Sequence, residues 1–124
     1  MNRRLVILAS LSLLTACATT GRAPAPAPAA YEELEPVFAA IAGKSALTIR
    51  VSSNGCTKKE DFAFYVERRG SVVTVAFARK RLDTCASFAA GRTDIVFTYE
   101  ELGLDPAVPF FLANPHRPWF GPAD

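Results

Sequence analysis

The side chains that could do chemistry in this 124-residue chain are three cysteines, Cys17, Cys56 and Cys85, and a single histidine, His116. Acid–base catalysis by an imidazole needs a nucleophile or a carboxylate held beside it. The sequence contains no serine-hydrolase, zinc-protease or phosphate-loop motif. Two cysteines and one distant histidine also fall short of the four ligands of a structural zinc site. We therefore predict no catalytic residue, no metal and no cofactor, with His116 an exposed residue between prolines.

Cys17 closes a segment that has the order of an export signal. Arg3 and Arg4 precede an uncharged apolar stretch over residues 5–14, and Leu-Thr-Ala-Cys follows at residues 14–17. The apolar stretch has 10 residues, whereas a membrane-spanning helix needs about 20. The pattern therefore predicts a targeting segment and not a transmembrane helix.

Residues 14–17 resemble the lipobox of bacterial lipoproteins, in which a small residue precedes a cysteine that is lipidated and becomes the mature N-terminus. The resemblance implies a signal peptide over residues 1–16, a diacylglycerol thioether on Cys17 and an acyl chain such as palmitate on its amine. Two or three such chains anchor a domain stably. Ala18 stands where lipoproteins retained in the inner membrane tend to carry Asp, which favours the periplasmic face of the outer membrane over the inner membrane. An ordinary secretory signal with an incidental cysteine is the alternative.

The charge balance changes when the signal peptide is removed. The full chain has 14 basic and 12 acidic side chains. Loss of Arg3 and Arg4 leaves 12 of each sign, so the mature chain is neutral by side-chain count. This removes the main support for a nucleic-acid partner.

Two further regions follow the signal peptide. Residues 17–30 combine the lipidated Cys17 with an Ala/Pro-rich linker, and alternating prolines favour an extended polyproline II spacer. Residues 31–124 are long enough for one small domain. Its last part is rich in proline and aromatic residues, which predicts an irregular tail that wraps over the domain.

Alternating apolar and polar residues in the domain indicate β-strands. The predicted strands cover residues 47–53, 62–68, 72–78, 93–98 and 108–113. A short N-terminal helix is predicted over residues 31–43, because Leu34, Phe38 and Ile41 would share one face. Thr98 and Glu101 form a capping-box pattern, which predicts one helical turn. The fold class is therefore mainly β, with a minor α component: a small antiparallel sheet or sandwich of about five strands.

Gly70 separates two strand patterns and predicts a hairpin. A loop of Arg69 and Gly70 would pair Phe62 with Phe77, Phe64 with Val75 and Val66 with Val73. Extending this register brings Cys56 within two positions of Cys85, and in an oxidising compartment the two would form a disulfide. Such a bond would stabilise the domain by roughly 3–4 kcal/mol. A longer hairpin loop and two free thiols are the alternatives.

Two groups of side chains are candidate contact residues. In the hairpin register, five basic residues gather at the disulfide end and could contact an anionic partner: Lys58, Lys59, Arg79, Lys80 and Arg81. A solvated surface is the alternative. Trp119 and Phe120 in the tail are candidate aromatic contacts, with core packing as the alternative.

The middle of the chain is also similar to small proteobacterial lipoproteins. The similarity covers residues 47–114 and lies in Gly-Cys-Thr-Lys-Lys-Glu-Asp-Phe at residues 55–62 and in Arg81, Asp83 and Cys85. It implies the same domain and disulfide but does not indicate a function. We therefore expect a lipid-anchored, non-catalytic envelope protein that binds or scaffolds a periplasmic or outer-membrane partner. A periplasmic inhibitor of a cell-wall hydrolase or protease is the alternative.

Overall fold

The computed structural model describes residues 33–88 and 91–122. The predicted signal peptide, Cys17 and the Ala/Pro-rich linker lie outside these residues. Within the described part of the chain, no helix is long and apolar enough to cross a membrane.

Six strands and two short helical turns make up the described structure. In chain order they are β1 (Ala39–Ala42), β2 (Ala46–Ser53), a 3-10 turn (Lys59–Asp61), β3 (Phe62–Arg69), β4 (Val72–Arg79), β5 (Gly91–Thr98), α1 (Tyr99–Leu102) and β6 (Phe111–Leu112). The strands form two sheets of three, ordered β1-β2-β5 and β3-β4-β6. All neighbouring strands are antiparallel except β4 and β6, which are parallel. The predicted mainly β class is confirmed.

The core lies between the two sheets. Leu47, Ile49 and Val51 alternate along β2 and are buried, as the period of two predicts. The core joins these residues to β4 and β5, where the Phe77 and Phe97 rings lie 4.6 Å apart. Residues from both sheets therefore bury one shared apolar layer, which is the arrangement of a β-sandwich.

The helix predicted over residues 31–43 is wrong in the described part of that segment. Residues 39–42 form β1, which pairs with the edge of β2. Ile41, assigned to the core face of the helix, is 53% exposed, whereas Val37 is only 2% exposed. A helix this short is only marginally stable by itself. Pairing with the open edge of β2 instead gives the backbone of residues 39–42 its hydrogen-bond partners.

The hairpin forms, but with a loop of Gly70 and Ser71. The observed pairs are shifted by two residues from the prediction, so that Phe64 lies opposite Phe77 and Val66 opposite Val75. A shift of two leaves every side chain on its predicted face, because side chains alternate with a period of two. Gly70 has φ 61°, in the left-handed region that glycine adopts most easily.

The helical turn predicted after β5 is confirmed. The Thr98 hydroxyl accepts a hydrogen bond from Glu101 N (3.1 Å), and the Glu101 carboxylate accepts one from Thr98 N (2.8 Å). Gly103 ends the turn in the left-handed conformation. The strand predicted over residues 108–113 is shorter than expected and contains only β6.

The outer edge of β4 is completed by β6, by the Asn114 side chain and by the backbone of Glu35. β6 pairs with Thr74 and Val75. Beyond it, the buried Asn114 side chain replaces a strand: its Oδ1 accepts from Phe77 N (2.8 Å) and its Nδ2 donates to Phe77 O (2.7 Å). The same Nδ2 also donates to Glu35 O (2.7 Å). One amide therefore joins β4, the N-terminal segment and the C-terminal segment.

Residues 34–42 connect the two sheets on one side of the sandwich. Glu35 N donates to Phe77 O of β4 (3.0 Å), and Phe38 N donates to Arg50 O of β2 (2.8 Å). Between them, Val37 exchanges backbone hydrogen bonds with Pro115 O and Arg117 N, both at 2.9 Å. The start of the tail therefore packs onto this segment.

We expect Asn114→Asp to lower the free energy of unfolding by about 3 kcal/mol, because a carboxylate cannot donate to the two carbonyls and would lie buried beside them. Denaturant unfolding of the full-length protein measures this change. Glu100→Gln exchanges the same groups in the opposite direction at an exposed position, and should stay within about 0.5 kcal/mol of the parent. An Asn114→Asp protein as stable as the control would contradict the bridging role of the amide.

Candidate functional site

The disulfide end of the molecule, defined as residues 52–61 and 79–85, holds most of the residues singled out from the sequence. Cys56 and Cys85 lie there with their Cα atoms 5.7 Å apart, and the structure joins them as predicted. The shifted hairpin register explains the match, because its extension places Cys56 level with Cys85. The disulfide connects the turn after β2 to the loop after β4.

The carboxylate of Asp83 organises both loops. Its Oδ2 accepts hydrogen bonds from Asn54 N (2.7 Å), Thr57 Oγ1 (2.7 Å), Ser53 Oγ (3.1 Å) and Cys56 N (3.1 Å), and its Oδ1 accepts one from Cys85 N (3.0 Å). Desolvation raises the pKa of this carboxyl, but its hydrogen bonds from one hydroxyl and three backbone amides lower it by more. The pKa of Asp83 is therefore held well below its usual range, and the residue is ionised at neutral pH.

Arg79 points inward and forms a paired contact with Glu35. Its Nε and Nη2 donate to the two Glu35 carboxylate oxygens at 3.0 and 2.6 Å, and the two side chains are only 12% and 11% exposed. The same guanidinium donates to Thr57 Oγ1 (3.2 Å) and Ser52 O (2.8 Å) and lies 4.8 Å from the centre of the Phe62 ring. Arg79 therefore holds the N-terminal segment, β2 and β4 together.

The other four basic residues of the predicted cluster divide between a pair and a free surface. Lys59 forms an ion pair of 2.6 Å with Glu101 of α1. Lys58 and Lys80 are exposed. Arg81 has a 75% exposed side chain, with only a loose 3.6 Å contact to Asp61. The structure therefore leaves three of the five positive charges available to a partner at this end.

The two predicted aromatic contact residues have different surroundings. The Trp119 ring packs edge-on against Phe38 at 5.0 Å, and its Nε1 donates to Pro122 O (2.9 Å). The guanidinium of Arg92 lies 5.0 Å from the same ring. Phe120 is 90% exposed. Trp119 therefore attaches the tail to the domain, whereas Phe120 faces outward.

Two of the open cavities on the described surface lie close to residues discussed above. One, of about 500 Å³, runs between β1 and residues 106–112, with mainly apolar walls that include Tyr99 and Phe110. The other, of about 250 Å³, lies at the disulfide end between Arg79, Leu82 and Asp83. The charged side chains that line the smaller cavity already form hydrogen bonds with one another or with the backbone. These hydrogen bonds serve the fold.

Potential metal-ligand atoms of Cys56, Asp83 and Cys85 lie within 4.8 Å of one another. Both sulfur atoms belong to the disulfide and cannot supply the thiolate that binds a metal. The Asp83 carboxylate is fully occupied as a hydrogen-bond acceptor. These three residues therefore connect the turn after β2 to the loop after β4.

Sequence reasoning did not find Asp83, Glu35 or Thr57. Asp83 entered the sequence analysis only as part of a similarity pattern with no role of its own, and Glu35 was assigned to a helix that does not form. An acidic residue close to a disulfide cysteine, among loops rich in backbone donors, is the signal that could have indicated Asp83.

Comparison of the chain with protein-family models, with curated proteins and with solved structures finds no match. Function is therefore inferred from the residues of this chain.

We expect removal of the Asp83 charge to lower the Tm at neutral pH. The folded pKa of Asp83 lies below its unfolded value, so its contribution is complete above pH ~4 and is lost as the pH falls below that. Thermal unfolding of the parent protein and Asp83→Asn between pH 7 and pH 2 should therefore give a Tm difference that is largest at pH 7 and narrows as the pH falls from about 4 to 2. Glu60→Gln removes an exposed charge from the same end and should show no such difference. A constant gap between the parent and Asp83→Asn at every pH would contradict the role of the ionised carboxylate.

We expect Arg79→Met to lower the free energy of unfolding by about 3–5 kcal/mol, because it leaves the Glu35 carboxylate buried without its partner. Denaturant unfolding measures the loss, and the double variant Arg79→Met/Glu35→Leu should recover part of it. Arg50→Met is the matched control, because Arg50 makes the same two-pronged contact with Asp94 at 2.6 and 2.9 Å on a more exposed surface. The control should lose about 1 kcal/mol or less. Equal losses in the two single variants would show that burial of the Arg79–Glu35 pair does not matter.

Proposed function

We propose that the protein is a lipid-anchored, non-catalytic lipoprotein of the cell envelope that binds or scaffolds a periplasmic or outer-membrane partner. The observation that carries the proposal is the order of features before the domain: Arg3 and Arg4, the apolar residues 5–14, and Cys17. An acylated Cys17 on the inner leaflet of the outer membrane would place the domain in the periplasm. That oxidising compartment is consistent with a pair of cysteines at disulfide distance.

The linker defines how far the domain can work from the membrane. Residues 18–30 hold alternating prolines, and an extended chain of this length reaches up to about 40 Å. A partner within that distance of the membrane surface is accessible to the tethered domain. Tethering also raises the local concentration of the domain near such a partner.

The disulfide end is the surface best suited to a partner. Lys58, Lys80 and Arg81 are exposed there, on loops held by the disulfide and by the five hydrogen bonds to Asp83. Loops held in one conformation lose little entropy on binding, and positive charge increases the rate of association with an anionic surface. Phe120 offers a separate exposed aromatic contact.

Inhibition of a periplasmic hydrolase or protease is the second candidate function. The observation that favours it is the loop after β4, in which Leu82 is 78% exposed between residues that are held to the rest of the domain. An exposed segment whose two ends are fixed to the domain can enter the active-site cleft of an enzyme and remain bound there.

We expect Cys17→Ser in the native host to abolish incorporation of labelled palmitate and to move the protein from the membrane to the soluble periplasmic fraction. In the same cells, chemical crosslinking of the parent protein should recover a defined envelope partner, and Cys17→Ser should reduce that recovery at least several-fold because the tether is lost. Mass spectrometry of the mature N-terminus and of the crosslinked partner gives both readouts.

The matched control replaces the other two cysteines by serine and should keep the palmitate label. Retention of the label in Cys17→Ser, or a parent protein that begins with unmodified Met1, would contradict the anchor. A parent protein that is anchored but turns over a substrate without crosslinking to a partner would contradict the binding function.

A further inference from the structure

The loop after β4 presents two adjacent exposed side chains of opposite character. Arg81 is 75% exposed and Leu82 is 78% exposed. From Leu82 onward, exposed and partly buried residues alternate as far as Ala86, as in an extended chain. The chain therefore bends at Lys80 and Arg81 and then continues from Leu82 as a surface segment with the exposure pattern of an extended chain.

The chain is held on the N-terminal side of this pair by one carbonyl. Asp61 O accepts hydrogen bonds from Lys80 N (2.7 Å) and Arg81 N (3.3 Å). Asp61 is itself buried, and its carboxylate accepts from Lys58 N (2.8 Å). The first contact point therefore belongs to the 3-10 turn that precedes β3.

The chain is held on the C-terminal side by the Asp83 carboxylate and the disulfide. Five hydrogen bonds connect Asp83 to residues 53–57 and to Cys85, and Cys85 is bonded to Cys56. The peptide bond between Arg81 and Leu82 therefore lies between two contact points, one on the 3-10 turn and the other on the turn after β2.

We propose that the Arg81–Leu82 bond is the reactive bond of a substrate-like inhibitor loop for trypsin-like serine proteases. This inference rests on the second form of the proposed function, in which the domain inhibits a protease. The Arg81 guanidinium would enter a specificity pocket that has a carboxylate at its base, and Leu82 would contact the enzyme on the other side of the bond. The neighbouring exposed Lys58 and Lys80 add positive charge that favours association with such a pocket.

The two contact points explain why the loop would inhibit and not simply be digested. The protease serine Oγ attacks the Arg81 carbonyl carbon, the C–N bond to Leu82 breaks, and the released Leu82 amine takes up a proton. In an ordinary substrate this amine diffuses away and water hydrolyses the ester. Here Leu82 stays in place through Asp83 and the disulfide, so its deprotonated amine can attack the ester, restore the peptide bond and release the serine. Religation and slow separation keep the enzyme occupied.

Arg69 is the matched control within the chain. Its side chain is 60% exposed beside the hairpin loop of Gly70 and Ser71, so it is also an accessible arginine next to a turn. The disulfide and the Asp83 contacts lie in other loops and do not hold this turn. Any effect of Arg81 that depends on the held loop should be absent at Arg69.

The test uses the full-length protein in detergent, with its disulfide intact, against trypsin acting on a small chromogenic peptide substrate. We expect inhibition at a one-to-one ratio, unchanged by Arg69→Ala, kept within about tenfold by Arg81→Lys, and weakened at least about 30-fold by Arg81→Ala. Chymotrypsin, whose pocket is apolar, should not be inhibited. Circular dichroism of each variant confirms that it is folded.

Loss of one contact point gives a second measurement. Asp83→Asn or reduction of the disulfide should convert the loop into a substrate, seen by mass spectrometry as rapid cleavage after Arg81. Absence of trypsin inhibition, inhibition that survives Arg81→Ala, or rapid cleavage after Arg81 in the parent protein would each overturn the proposal. A partner recovered by crosslinking in the native envelope while trypsin is not inhibited would leave the proposed binding function in place and refute only the inhibitor loop.

Discussion

The structure depends on how the outer edge of β4 is completed. β6 pairs with only the first part of that edge, and the buried amide of Asn114 and the backbone of Glu35 occupy the next part. A buried strand edge without partners would be costly, because each backbone amide and carbonyl needs a hydrogen bond. Because Asn114 and Glu35 come from opposite ends of the domain, this one edge positions both the N-terminal segment and the tail. It also brings the Glu35 carboxylate to Arg79, and thereby connects the sandwich to the disulfide end.

The disulfide end uses charge for two separate purposes. Arg79 and Asp83 have inward-facing charges that are matched by several partners each, and they hold the N-terminal segment and two loops in fixed positions. Lys58, Lys80 and Arg81 carry outward-facing charges on those same loops. Rigid loops that display exposed positive charge and an exposed Leu82 have the properties that the proposed recognition of a macromolecule would need. In the proposed binding function, the buried polar contacts beneath this end would keep its exposed charges in fixed positions.

Particular residues show how far sequence reasoning reached. Leu47, Ile49 and Val51 were placed correctly because alternation along a strand is a local property, and the α1 turn was placed correctly because Thr98 and Glu101 cap it locally. The segment around Phe38 and Ile41 was predicted as a helix because its apolar residues also fit a period near 3.6. The segment forms a strand because it pairs with the open edge of β2, and the local sequence pattern contains no information about that edge. The hairpin register was wrong by two residues for a related reason, since a shift of two preserves the faces that the prediction used.

The sequence by itself determined the order of regions and the kind of domain: a segment with the pattern of an export signal, a proline-rich linker, and a chain whose alternating strands and paired cysteines require a small β fold. Those properties follow from residue types and short spacings. Only the tertiary structure decided which charges face inward, how Asn114 closes the sandwich, and that Asp83 holds the loop carrying Arg81 and Leu82. The reason is physical, because each of these roles belongs to a polar group whose partners lie tens of residues away along the chain and are brought within hydrogen-bonding distance only by folding.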